Sequence, residues 1–130
     1  MQKLSANRTF VACAFCALTT AALAQGAPSW TGSWKGANGA LMSLMEGGGT
    51  LDAWGKDEAS FYRLTCTVDQ KDTSQATCFG EGVNHMRGTR FTYRSKLRLG
   101  VSGITEQWEA QEFAGTAEGR ESFTRVPTRK

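Results

Sequence analysis

The chain reads as all-β: a small antiparallel up-and-down eight-stranded β-barrel with one disulfide, preceded by a removable leader. Three observations predict it. Beyond the leader, short runs alternate apolar and polar residues, and clusters of glycine divide them at intervals of about 8–12 residues. No window of that region holds a sustained helical period. In the middle of the chain, two alternating segments align so that two cysteines fall opposite each other.

In order, Lys3 and Arg8 precede a largely apolar run from Phe10 to Ala24 that ends in Ala22-Leu23-Ala24. A charged start, a short apolar stretch and small residues around a cleavage point make a signal peptide cut after Ala24. The run is broken by Thr19 and Thr20 and is short for a membrane span. An uncleaved anchor, or a lipid on Cys13 or Cys16, is the alternative. Residues 1–24 are then the signal peptide and residues 25–130 a single barrel domain, periplasmic or secreted, that meets a membrane only through the leader before cleavage. Cleavage leaves 13 basic against 12 acidic residues, a net charge of +1 where the full chain has +3. That near-neutral balance argues against nucleic acid as a partner. It also leaves two cysteines, an even number for an oxidising compartment.

Eight strands are predicted, over 29–36, 40–46, 50–56, 59–69, 73–80, 89–99, 104–113 and 116–126. Asn38-Gly39 joins the first two as a type I′ turn. Strict pairing sets Leu41, Ser43 and Met45 against Trp30, Gly32 and Trp34; an extra residue in the turn selects Met42 and Leu44 instead. Gly47-Gly48-Gly49 and Lys56-Asp57-Glu58 make the next turns. In the fourth strand Tyr62, Leu64, Cys66 and Val68 share a face. A turn centred on Asp72 then puts Cys66 opposite Cys78 and Val68 opposite Ala76, about 4.5–5.5 Å apart at Cα, a span a disulfide bridges. Such a staple adds about 3 kcal/mol. A redox role lacks the Cys-x-x-Cys pattern in the mature chain.

The connection from Glu81 to Gly88 is predicted as the one long loop, lying over a mouth of the barrel. Next, Phe91, Tyr93, Ser95, Leu97 and Leu99 face one way while Arg90, Arg94, Lys96 and Arg98 face the other. A four-residue loop, Gly100 to Gly103, sets Trp108 against Ser95, Glu109 against Arg94 and Gln107 against Lys96. The four cations are a solvated exterior partly neutralised by Glu109 and Glu112, or a stripe for an anionic or protein partner. Hairpin turns between nearly all strands favour a closed up-and-down barrel, whose interior either fills with side chains or holds one small ligand.

His85 is the single histidine and has no companions for a metal site. The mature chain carries no free cysteine, no Gly-x-Ser-x-Gly and no phosphate-cradling glycine loop, so neither a catalytic residue nor a cofactor is assigned. More telling is misplaced polarity. If Phe123 and Trp108 point inward, period two carries Glu106, Glu121 and Arg125 inward as well, near Tyr93. They are either an internal ion pair or wet rim, or the polar groups of a pocket whose aromatic faces hold a ligand.

At these residues the chain resembles the avidin and streptavidin family of biotin-binding barrels. Trp30-Thr31-Gly32-Ser33-Trp34 is similar to that family's Thr-Gly-Thr-Trp first strand, and Ile104-Thr105-Glu106-Gln107-Trp108 to the strand whose Trp lines the biotin site. Gly119 to Val126 is similar to its last strand, Gly-x-Asp/Asn-x-Phe-Thr. The resemblance implies a calycin-like barrel with Trp108 lining a ligand site and Glu121 contacting the ligand's polar ring. Gly36 and Ala40 stand where the family has Asn and Ser, Gly55 falls near its Gly-x-Tyr ligand position, and Phe91 and Tyr93 replace its Trp-x-Val-x-Trp. Each missing partner would cost the biotin ureido group about 1–3 kcal/mol, so tight biotin binding is not expected. The expected function is an exported, non-enzymatic barrel that binds a small ring-containing ligand between Trp34, Tyr93, Trp108 and Glu121. The alternatives are a protein-binding inhibitor or immunity-type module for an envelope or secreted hydrolase, and a hydrolase using His85.

Overall fold

The computed structural model describes residues 29–128, so the predicted leader with Cys13 and Cys16 lies outside the described residues. Eight strands follow one another: β1 (Gly32–Lys35), β2 (Leu41–Gly47), β3 (Thr50–Lys56), β4 (Ser60–Val68), β5 (Gln75–Asn84), β6 (Thr89–Leu99), β7 (Ile104–Glu112) and β8 (Gly115–Arg125). Each pairs antiparallel with the next, and β8 returns to β1 to close the barrel. The seam is short. β1 meets β8 at Trp34↔Arg125 and Lys35↔Thr124, and the Val126 N–H donates to the Ser33 carbonyl at 2.8 Å.

The first hairpin takes the shifted register. Asn38 and Gly39 both adopt positive φ, 55° and 74°, as a type I′ turn requires. Ala40 N–H closes the turn on the Ala37 carbonyl, but Gly36 rather than Ala37 donates to the Ala40 carbonyl. Ala37 is therefore an extra residue, a bulge, and Met42 falls opposite Trp34 with Leu44 opposite Gly32. Met42 and Leu44 are buried, while Met45 is exposed.

The central hairpin has the predicted pairing, Cys66↔Cys78 and Val68↔Ala76, and the two sulfurs are bonded. Asp72 shapes its turn by accepting from the Ser74 hydroxyl and the Gln75 amide. Both cysteines are fully buried among the inward residues of the barrel. With Cys66 and Cys78 both changed to Ala, the unfolding free energy should drop by about 3 kcal/mol in a urea titration. A drop below about 1 kcal/mol would show that the staple adds little to the barrel's own closure.

The predicted Glu81–Gly88 loop is a correction. β5 continues to Asn84, leaving only a tight turn through His85, Met86, Arg87 and Gly88. The turn hangs on the Asn84 side chain, which accepts from the Met86 and Arg87 N–H groups. Gly82, which looks like a loop signal in sequence, stands inside β5 because the Phe91 ring and the Phe61 carbonyl press against its backbone.

The two ends of the barrel differ. At one end Trp30 and Trp34 plug the interior above Leu44, Leu51, Val68 and Leu99. The Trp34 indole N–H donates to the Trp30 carbonyl at 3.0 Å, and the Trp30 indole N–H donates to the Thr73 carbonyl at 3.0 Å. Buried indoles need such partners. Arg125 lies outside this plug, its guanidinium 4.2 Å from the Trp34 ring and bonded to the Thr31 and Ser29 carbonyls. The opposite end, framed by the turns near residues 37, 58, 86 and 113, is open.

Candidate functional site

The open end holds a cavity of about 230 Å³ whose wall is built from paired rings and glycines. Tyr62 on β4 lies between Gly55 on β3 and Gly82 on β5. Tyr93 on β6 sits beside Gly80, Phe91 beside Gly82, and Trp108 on β7 beside Gly119 on β8. At Gly55, Gly82 and Gly119 the neighbouring ring occupies the place of the missing side chain, whereas at Gly80 the backbone of β4 does. A Cβ on Gly55 would come within 1.9 Å of the Tyr62 ring, and one on Gly119 within 2.8 Å of the Trp108 ring. The rings therefore lie along the wall instead of filling the lumen. Tyr62 and Tyr93 stack at 4.8 Å between centroids and 14°, and Tyr93 and Trp108 at 6.0 Å and 15°. Three nearly parallel aromatic faces make a surface suited to a flat apolar ring.

Polar groups stand beside these rings. Glu106 is inward on β7, only 3% exposed, with Leu97 on one side and Glu121 on the other. One oxygen accepts the Tyr93 hydroxyl at 3.2 Å; Oε2 has no hydrogen-bond partner, nor has the buried Ser95 hydroxyl. Burial pushes the Glu106 carboxyl up to about 7. The neighbouring Ser95 and Tyr93 hydroxyls pull the other way, and the Glu121 charge adds to the rise. Burial and the same carboxylate also push both phenols, Tyr62 and Tyr93, well above the ordinary tyrosine range.

Glu121 is held at the mouth by the first hairpin. Because Gly36 has taken the Ala40 carbonyl, the N–H of Ala37 is free to donate to Glu121 Oε1 at 2.9 Å. Gly36 also makes room, since a Cβ there would stand 2.8 Å from that oxygen. The bulge thus does two things: it sets the strand register and it anchors a carboxylate of the site. At the rim Arg87 and Glu112 form an ion pair at 2.5 Å, the one such pair among the described residues.

Of the residues singled out from sequence, Tyr93, Trp108 and Glu121 meet on this cavity. Trp34 does not: it belongs to the plug at the far end. Arg125, expected to point inward by period two, leaves the interior because the barrel ends there, and it covers Trp34 from outside. Tyr62 is the contributor that the sequence placed on the inner face without assigning it to the site. The signal for it is the cross-strand pairing of an aromatic with a glycine, readable once the hairpin registers are known. His85 is exposed in its turn, with its ring 5.3 Å from that of Phe61.

On the outer wall, β6 carries Arg94 opposite Glu109 as predicted, yet the guanidinium lies over the Phe79 ring at 5.6 Å. Arg63 is likewise 5.5 Å from the ring of the exposed Trp54. Among the described residues no group of three or more His, Cys, Asp or Glu stands together as a metal site.

No protein-family model matches this chain, and no curated protein matches it. The geometry of the cavity therefore carries the functional argument.

Proposed function

We propose that this protein is an exported, non-enzymatic barrel that binds a small ring-containing molecule in its open end. One observation carries the reading: three parallel aromatic faces, Tyr62, Tyr93 and Trp108, border a lumen in which a buried carboxylate oxygen has no partner. Filled cores bury apolar atoms and pair their polar ones, whereas this lumen sets an unpaired buried carboxylate oxygen beside stacked rings. In this reading Tyr93 and Trp108 stack on the ligand, Glu121 meets its polar edge, and Trp34 serves the floor of the barrel. An avidin-like ancestry is supported by the Trp108 and Glu121 motifs. Tight biotin binding is not part of the proposal, because Gly36 and Ala40 offer no side-chain partners.

Among the four tryptophans of the mature chain, Trp108 is the one on the cavity. A small ring compound that quenches intrinsic fluorescence in the wild type should lose that quenching in a folded Trp108→Ala variant. Its affinity should fall by about tenfold, the worth of one stacked, buried aromatic. Unchanged quenching and affinity would move the site elsewhere.

The second reading, a protein-binding module, is favoured by the outer wall. There Arg63 and Arg94 rest on aromatic rings with no carboxylate within ion-pair distance, among exposed Trp54, Phe61 and Phe79. Aromatic and arginine side chains are the types enriched at protein interfaces.

A further inference from the structure

Charges around the cavity are lopsided. Asp57, Glu106, Glu112 and Glu121 line it against Lys56 and Arg87, and Glu112 already holds Arg87. No cation reaches the deepest of these groups: Glu106 has a tyrosine hydroxyl on one oxygen and nothing on the other. The donors bonded to the two inner carboxylates are the Tyr93 hydroxyl on Glu106 and the Ala37 N–H on Glu121, and the Ser95 hydroxyl faces Glu106 from β6. What they lack is a source of N–H donors from the lumen.

Resting on the ligand-binding reading above, we infer that the ligand is a planar cation: an aromatic or conjugated ring bearing an amidinium, guanidinium or amino group, its ring stacked on Tyr93 and Trp108 and its N–H donors on Glu106 and Glu121. Three physical facts converge on that class. A flat cation is attracted to aromatic faces. A planar fork of N–H donors matches a carboxylate with two strong, charge-assisted hydrogen bonds. A buried carboxylate without a partner is satisfied most completely by a donor that also brings positive charge. A neutral ring would leave Glu106 protonated and half-bonded, and an anionic one would meet two like charges.

Binding is then linked to protons. The groups facing Glu106 are Tyr62, Tyr93 and Ser95 on β4 and β6 and Glu121 on β8, with Asp57 at the rim. The two phenols stay protonated at neutral pH, so Glu106 is the group that changes state near pH 7. A cation selects its ionised form, so affinity rises with pH through that region and binding at pH 7 releases protons.

The test uses benzamidinium, with benzamide and benzoate as neutral and anionic probes of the same ring. Calorimetry on the mature protein at pH 6 to 8, in two buffers of different ionisation enthalpy, reads both affinity and proton release. Benzamidinium is expected to bind about tenfold or more tightly than either analogue, to release protons at pH 7, and to weaken about tenfold in Glu106→Gln. Should that variant not fold, proton release by the wild type decides the matter alone. Equal binding of benzamide and benzamidinium would overturn the cation assignment and leave the ring site standing. Absence of binding by all three would remove both.

Discussion

Between pH 4.5 and pH 7 the unfolding free energy should fall as pH rises, by on the order of 3 kcal/mol, and then level off. The cause is Glu106. In the unfolded chain its carboxyl ionises near 4.5, but burial holds the proton in the folded state up to about 7. Within that window the native state binds the extra proton, so each step up in pH favours unfolding. The contribution is complete below 4.5 and gone above 7. Asp72 acts in the opposite sense: hydrogen bonds from Ser74 and Gln75 lower its carboxyl, so its share is lost only in more acidic solution. The raised phenols of Tyr62 and Tyr93 add a second decline above pH 10. Glu106→Gln keeps the shape and removes the charge, so its stability should be flat across the window and exceed that of the wild type at pH 8. Urea titrations of both proteins across this range measure the difference. Parallel pH profiles would show that Glu106 is solvated as an ordinary surface carboxylate.

Replacing Gly80 with Ala should cost about 3 kcal/mol. The added Cβ would lie 1.9 Å from the Arg63 carbonyl oxygen and 2.9 Å from Leu64 Cα. Those are backbone atoms of β4, so no rotamer change relieves the clash; the two best-registered strands must part. Gly119→Ala is the contrasting case. Its obstacle is the edge of the Trp108 indole at 2.8 Å, which can tilt. That variant should lose about 1 kcal/mol and instead turn the indole into the cavity. Comparing the two by thermal denaturation separates backbone crowding from ring crowding. Equal losses would contradict the distinction.

These glycines also explain what the sequence revealed and what it hid. The Cys66–Cys78 register was legible because two signals, alternation and cysteine spacing, pointed to the same turn. Gly100 to Gly103 was legible for a similar reason, as the long alternation from Phe91 to Leu99 leaves only one phase for Trp108. The first hairpin was not, because the bulge at Ala37 is decided by Glu121, a residue far along the chain that takes up the spare N–H. Gly82 suggested a loop because a glycine that yields space to a ring looks the same as a glycine that turns the chain. Period two brought Glu106, Glu121, Tyr93 and Trp108 to one side, but it could not say which end of the barrel is stopped. That depends on Trp30 and Trp34 folding under the floor, and Trp34 was placed with the ligand on its alternation alone.

The seam between the first and last strands has a consequence for biosynthesis. Arg125 clasps the Thr31 carbonyl across 94 residues of chain, and the pairing around it is among the most distant in the molecule. Contacts so remote in sequence form late, since the whole intervening loop must first be ordered. A chain that has not yet made β8 carries two raw edges, and the ring shuts only once Arg125 and its neighbours reach β1.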